Sequence, residues 1–279
     1  MHYGSGLYLF SILFVLLCLT GIWAILRRCC VNVQRFAVLL IMVLNIFQHV
    51  MKPILYPHYR GQGFSHVMTA YNMCAFLILL SPAVYLWGNR LFRNFLYVMG
   101  TVAGIGAIVF PIWFIGMDPT ELGWEYVRFY TCHVLLFLSS LLPLLLGHHK
   151  PSYQEFWQVG LGFLLALCAI LVNNVIVISA GFYKGAVGGD MYTILLQHNP
   201  CMMMRPWGSS SWILEFVRIF SPSVFLGNNP SGKFVPILWY AVPLYLTVSL
   251  FCLVLFCAMD RKNLSADLRR LSKNNRERL

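Results

Sequence analysis

The sequence predicts an all-α membrane protein, a seven-transmembrane-helix bundle with its N-terminus outside and its C-terminus cytoplasmic. Composition is the first reason. Of 279 residues, 59% are hydrophobic and 10% charged, whereas a soluble domain has about a quarter of its residues charged. So little charge cannot coat a globule, so the bilayer must solvate much of the apolar surface. Run length is the second reason. The apolar runs are about 20 residues long and do not alternate, which fits helices crossing hydrocarbon rather than barrel strands. The third is the asymmetric placement of Lys and Arg around those runs.

The runs lie near 7–26, 36–55, 66–87, 94–115, 128–146, 156–180 and 235–258, in a single polytopic membrane domain spanning 1–279. The stretch before the first run, Met1 to Gly6, has no Lys or Arg, so that run is expected to be a resident span rather than a cleaved signal. With the N-terminus outside, the inner side holds Arg27, Arg28, Arg35, Arg90, Arg93, Lys150 and the seven basic residues from Arg261 to Arg278, thirteen of the 20 Lys and Arg. The outer loop 116–127 instead carries Asp118, Glu121 and Glu125. Short basic inner loops orient such chains, so the formal charge of +11 belongs to membrane topology and does not call for nucleic acid. The tail 260–279 is expected to lie on anionic inner-leaflet lipids. The location implied is the plasma membrane, crossed many times.

One long segment remains, the outer loop 181–234. It opens with Gly181, Gly185, Gly188 and Gly189, passes through His198-Asn199-Pro200, and contains an apolar stretch from Trp212 to Phe220 that reads as a short interfacial helix. A loop of this length is expected to be a packed cap. Most of the nine cysteines sit in or beside apolar runs, where they read as small hydrophobes rather than a disulfide framework.

Polar residues inside spans are functional-site candidates by default. The second run carries Asn45, Gln48, His49 and Lys52. The third carries His66, Tyr71, Asn72 and Cys74; the fifth, Arg128, Cys132 and His133; the sixth, Asn173 and Asn174. Helical rise places His49, Asn72, Cys74, His133 and Asn173 roughly 8–12 Å below the outer boundary, while the inner halves are almost wholly apolar. Adjacent residues point about 100° apart on a helix, so Cys132 and His133 cannot readily pair. Cys74 and His133 could meet across the bundle, and a thiol beside an imidazole is what acyl transfer needs. Asn72, Asn173 or Asn174 could orient the imidazole or donate to an oxyanion. Each of these residues could equally lock helices together. The His residues and Asp190 lack metal-ligand spacing, and no phosphate loop, nucleotide fingerprint or nucleophile elbow occurs, so no cofactor or metal is expected.

Several motifs carry a resemblance. They are Ala70-Tyr71-Asn72-Met73-Cys74, Tyr130-Thr131-Cys132-His133 with its Leu-rich continuation, Gly188-Gly189-Asp190-Met191-Tyr192 followed by Asn199-Pro200, and Pro236-Ile237-Leu238-Trp239-Tyr240. In these the chain resembles the YwaF-like bacterial integral membrane proteins, a family similar to the eukaryotic transmembrane protein 164 acyltransferases. Asn72 stands where the family usually has His, and Asp190 where it tends to have Asn. The resemblance implies an acyl-chain site with Cys74 as nucleophile and His133 as base.

The function expected is lipid modification by acyl transfer or hydrolysis, at a polar pocket in the outer-leaflet half, on a membrane lipid or other acyl-chain substrate. Catalysis would rest on Cys74, His133 and Asn173, and binding on His49, Asn72, Asn174, Asp190 and Arg128. The alternatives are a seven-helix ligand-binding protein, transporter or sensor using the same pocket, and a scaffold whose polar layer only joins helices.

Overall fold

Apolar runs bounded by capping residues set the helix limits in a computed structural model that describes residues 5–55, 65–111, 119–183, 189–206 and 211–276. The Ser5 hydroxyl accepts from the Tyr8 amide (3.4 Å) to start α1, Gly6–Leu26. A tight turn leads to α2, Val31–Val50, followed by a helical turn α3, Lys52–Leu55. Asn72 caps α4, Met73–Trp87, and Asn89 caps α5, Arg90–Val109. Then come α6, Pro119–Leu145, broken at Gly123 (φ 35°), and α7, Trp157–Ser179. The long connection after α7 contains α8, Met191–His198, and α9, Ser211–Phe220, which covers the stretch expected to be an interfacial helix. The chain re-enters through a non-helical turn over 235–240 to α10, Ala241–Met259, and ends in α11, Arg261–Arg276.

Among the described residues six helices, α1, α2, α5, α6, α7 and α10, are long and apolar enough to cross a membrane. Their outward faces are apolar: Phe10, Leu17, Ile25, Phe36, Leu250 and Val254 are each more than half exposed, a surface that a lipid environment covers at no hydrophobic cost. The third run is different. The sequence predicts a continuous helix over 66–87, but regular helix begins only at Met73 and spans 15 residues, about 22 Å at helical rise and short of the ~30 Å hydrocarbon core. The segment before it is a single 3-10 turn, His66–Met68, followed by extended backbone at Thr69 and Asn72. Asn72 decides the boundary, because its Oδ1 accepts from the Ala75 amide (2.9 Å) and fixes the helix start.

Inside α4, Pro82 has no N–H for the Ile78 carbonyl, and the Ser81 hydroxyl donates to that oxygen instead (2.8 Å). The helix thus stays apolar, with its freed carbonyl satisfied locally. The core runs between α2, α4, α5, α6 and α7, with Met42, Leu77, Leu96, Leu136 and Leu167 fully buried. Glycines allow two close contacts: Gly104 faces the Phe137 backbone of α6, and Gly162 of α7 faces Phe95 of α5.

At the end of the bundle where α6 gives way to α7, a polar lock replaces apolar packing. Asn94 Nδ2 donates to Gln158 Oε1 (2.7 Å) and Glu155 Oε2 (3.2 Å), and its Oδ1 accepts from His149 Nε2 (2.6 Å). Burial, with Arg90 and Arg93 nearby, holds His149 down to about 4, so the ring is neutral and this nitrogen carries the proton. Arg90 grips Glu155 with two nitrogens, at 2.5 and 2.7 Å. The basic tail folds back as α11, and Tyr153 donates to Asp267 (2.6 Å), leaving Arg261, Lys262, Arg269 and Arg270 exposed.

Candidate functional site

The irregular segment 65–72 gathers several of the polar residues singled out in the sequence. Unwound backbone carbonyls packed inside the bundle need donors from elsewhere, and three helical elements supply them. From α2, His49 Nε2 donates to Thr69 O (3.2 Å), and from α3, Lys52 Nζ donates to Val67 O (2.9 Å). From α7, Asn173 Nδ2 donates to the Thr69 hydroxyl (3.0 Å), which itself donates to His66 O (2.7 Å), and Asn174 Nδ2 donates to Tyr71 O (3.1 Å). A carbonyl only accepts, so the His49 proton is on Nε2. The Lys52 ammonium also lies over the Tyr71 ring, 5.5 Å from its centroid.

The cap closes over this segment. His66 stacks on Tyr183 (4.1 Å) and meets Tyr71 edge-on, and Tyr183 contacts His198 of α8 (4.6 Å). The turn after α8 is bent inward: Asn199, Cys201 and Met202 all have positive φ, as does Ile237 opposite. Left-handed backbone in non-glycine residues persists only where the surroundings over-determine it. Here Asn199 brackets the turn through Arg205 O (2.6 Å) and the Met204 amide (2.8 Å). Trp239 Nε1 donates to Met202 O and Met203 O (3.2 Å each), and Tyr240 OH donates to Cys201 O (3.0 Å). Met203 and Met204 are thereby driven into the core.

Cys74, in the first turn of α4, packs against the same apolar cluster as Cys132 of α6 and Cys201 of the cap turn. His133 sits elsewhere on α6. Its Nδ1–H donates to Phe129 O (2.7 Å) and its ring lies on Phe129, 4.2 Å between centroids. That bond fixes the tautomer and leaves the basic lone pair on Nε2. No hydrogen bond joins Cys74 to His133 among the described residues, so the pairing expected from the sequence is not made in this state.

The other expected residues divide clearly. His49, Asn72, Asn173 and Asn174 surround one segment, and Asn72 serves as the helix cap. Arg128 contributes its carbonyl, which accepts from Gln48 Nε2 (3.0 Å), and Asn45 ties Cys132 O likewise (3.2 Å). Asp190 is not in this layer. It caps α8 through the Thr193 hydroxyl and amide and pairs with Lys233 (3.1 Å), contacts that hold its carboxyl down to about 2. Asp118 and the glycines at 185 and 188 lie outside the described residues. The sequence reading missed Thr69, Tyr183 and Trp239 as site-forming residues, because the partners that define them lie 15 to 117 positions away and no local pattern announces them.

No protein-family model, curated protein or solved structure matches the chain.

Proposed function

We propose that the chain is a seven-crossing protein of the plasma membrane, with its N-terminus outside and its C-terminus cytoplasmic, and that it modifies acyl lipids through Cys74 and His133. The seventh crossing is α4, its span completed by the irregular segment 65–72. Reporter fusions test the orientation. One after Leu279 is expected to read as cytoplasmic and one within 189–205 as external, and the reverse at either site moves the polar layer to the inner leaflet.

The observation that carries the enzymatic reading is the strained cap turn seated on the cluster that holds Cys74, with His133 elsewhere on α6 making one hydrogen bond among the described residues, through Nδ1, which leaves Nε2 basic. His133 Nε2 would take the thiol proton, and the thiolate would attack an ester carbonyl of the lipid. The lysolipid oxygen then leaves with the imidazolium proton, and the Cys74 thioester passes its acyl group to a hydroxyl or to water. Catalytic contacts often tighten only when substrate is bound, which fits a pair unjoined at rest. This is also the activity that the resemblance to the YwaF-like family and the transmembrane protein 164 acyltransferases implies.

In the reconstituted full chain, an acyl-chain chloromethyl ketone is expected to label Cys74. Cys74→Ala abolishes labelling, His133→Ala slows it about 100-fold or more, and the double variant loses no more than Cys74→Ala. Cys168→Ala, on the exposed side of α7, leaves labelling intact. Full labelling in Cys74→Ala sinks the thiol mechanism. A non-enzymatic lipid-binding reading then leads, favoured by the buried and unpartnered Ser65 Oγ, His66 Nδ1 and Asn174 Oδ1 around the segment.

A further inference from the structure

A second site lies at the opposite end of the bundle from the cap and is independent of the Cys74 chemistry. A cavity of about 280 Å³ opens between the start of α2, the end of α4, the start of α5 and the turn after α6. Two arginines line it, Arg35 and Arg93, and no carboxylate does. Arg35 is exposed and makes no hydrogen bond among the described residues. Arg93 makes one, from Nη2 to Tyr85 O at 3.4 Å, while its Nε is buried with no partner. An unpaired buried guanidinium N–H is costly, and a second unpaired guanidinium on the same wall repels it. The arrangement becomes favourable once an oxyanion accepts from both.

The remaining wall is preset. His148 Nε2 donates to Gln34 Oε1 (3.0 Å), because the Gln34 amide nitrogen is committed to Leu26 O and Cys29 O. His148 Nδ1 therefore accepts from Tyr85 OH (3.2 Å), and that hydroxyl is held toward the ring. The Tyr97 hydroxyl also lines the cavity and has no hydrogen-bond partner among the described residues. The rim is apolar: Phe36 is 66% exposed and Leu86 46%, on faces that hydrocarbon would cover. Cationic donors beside exposed apolar side chains suit an anionic head attached to an acyl chain, whereas a soluble anion has no use for the apolar side chains.

We propose that Arg35 and Arg93 bind a phosphate group here, presented by an anionic glycerophospholipid whose chain lies along Phe36 and Leu86.

The test is a titration of the detergent-solubilised full chain, followed by its thermal unfolding, with dioctanoyl phosphatidylglycerol, dioctanoyl glycerol or inorganic phosphate. Phosphatidylglycerol is expected to stabilise saturably, and dioctanoyl glycerol, which lacks the phosphate, is not. Arg35→Gln and Arg93→Gln each weaken the midpoint roughly tenfold, the loss of a hydrogen bond to a charged group. Should Arg93→Gln fail to fold, Arg35→Gln still decides, since Arg35 is exposed and unbonded. The tail variants Arg269→Gln and Arg270→Gln keep the wild-type midpoint. Saturable stabilisation by inorganic phosphate that the two pocket variants lose keeps the phosphate site and assigns it a soluble ligand. Equal stabilisation by the phosphate-free lipid, or a loss confined to the tail variants, overturns the proposal.

Discussion

Gly104→Val is expected to unseat α6 from α5 and leave little folded protein. A Cβ on Gly104 would meet the Phe137 backbone nitrogen at 2.8 Å and its Cα at 2.9 Å. Backbone cannot rotate away as a side chain can, so the helices must separate. Overpacking of this kind costs about 1–3 kcal/mol, and valine adds two methyl groups beyond the Cβ. Gly106 is the internal control, because nothing lies within 4 Å of its Cβ direction. Gly106→Val, on the same helix and with the same change in residue, is expected to unfold at the wild-type temperature. Equal thermal midpoints for the two variants would show that close approach at Gly104 is not what seats the pair. The functional consequence follows from register. Phe137 is one helical turn from His133, and a displaced α6 carries His133 and Cys132 away from α4.

Trp239→Ala is expected to cost about 3–5 kcal/mol, the usual range for a buried aromatic truncated to alanine. Trp239 is 1% exposed, and its ring packs on Tyr240 (4.5 Å) and edge-on to Phe234 (5.8 Å). Its indole N–H is shared by the Met202 and Met203 carbonyls, which belong to the strained turn. Losing that donor removes the contact that holds left-handed backbone in place, so the turn relaxes outward. Cys201 should then react with a membrane-impermeant maleimide roughly tenfold faster or more, as expected for an opening equilibrium shifted by over 1.4 kcal/mol. Trp239→Phe separates the two contributions, since it keeps most of the apolar bulk and loses only the donor. It should cost about 1–3 kcal/mol, and Cys201 reactivity should rise less. Unchanged Cys201 reactivity in Trp239→Ala would mean that the turn is held by other contacts and the indole only fills space.

The apolar runs and their order were legible because hydrocarbon imposes one requirement on every residue in a span, and composition over ~20 positions records it. The short helix at Ser211–Phe220 was legible for a similar local reason, a serine start followed by an apolar face. The polar layer was legible only as a list of residues. His49, Asn72, Asn173 and Asn174 were marked by their cost in a span, and they do not meet one another: Asn72 caps α4, whereas His49 and Asn174 reach carbonyls and Asn173 the Thr69 hydroxyl. Their target is the unwound segment before Met73, which the hydropathy of 66–87 conceals because an unwound apolar stretch scores like a helical one. The Cys74–His133 pairing was an inference from depth and from the family resemblance. Depth fixes a position along the membrane normal and says nothing about side-chain direction, and His133 folds back on its own helix, onto Phe129 one turn earlier.

By itself, then, the sequence determined a helical chain with long apolar elements, a basic tail and a polar layer confined to four of its runs. Tertiary structure alone decided that the third run unwinds, that a strained cap turn is seated above Cys74, and that two arginines 58 positions apart share one cavity. The physical reason is the range of the forces involved. Burial of apolar surface is recorded residue by residue, whereas a hydrogen bond or an unpaired charge takes its energy from a partner that only the folded chain brings near.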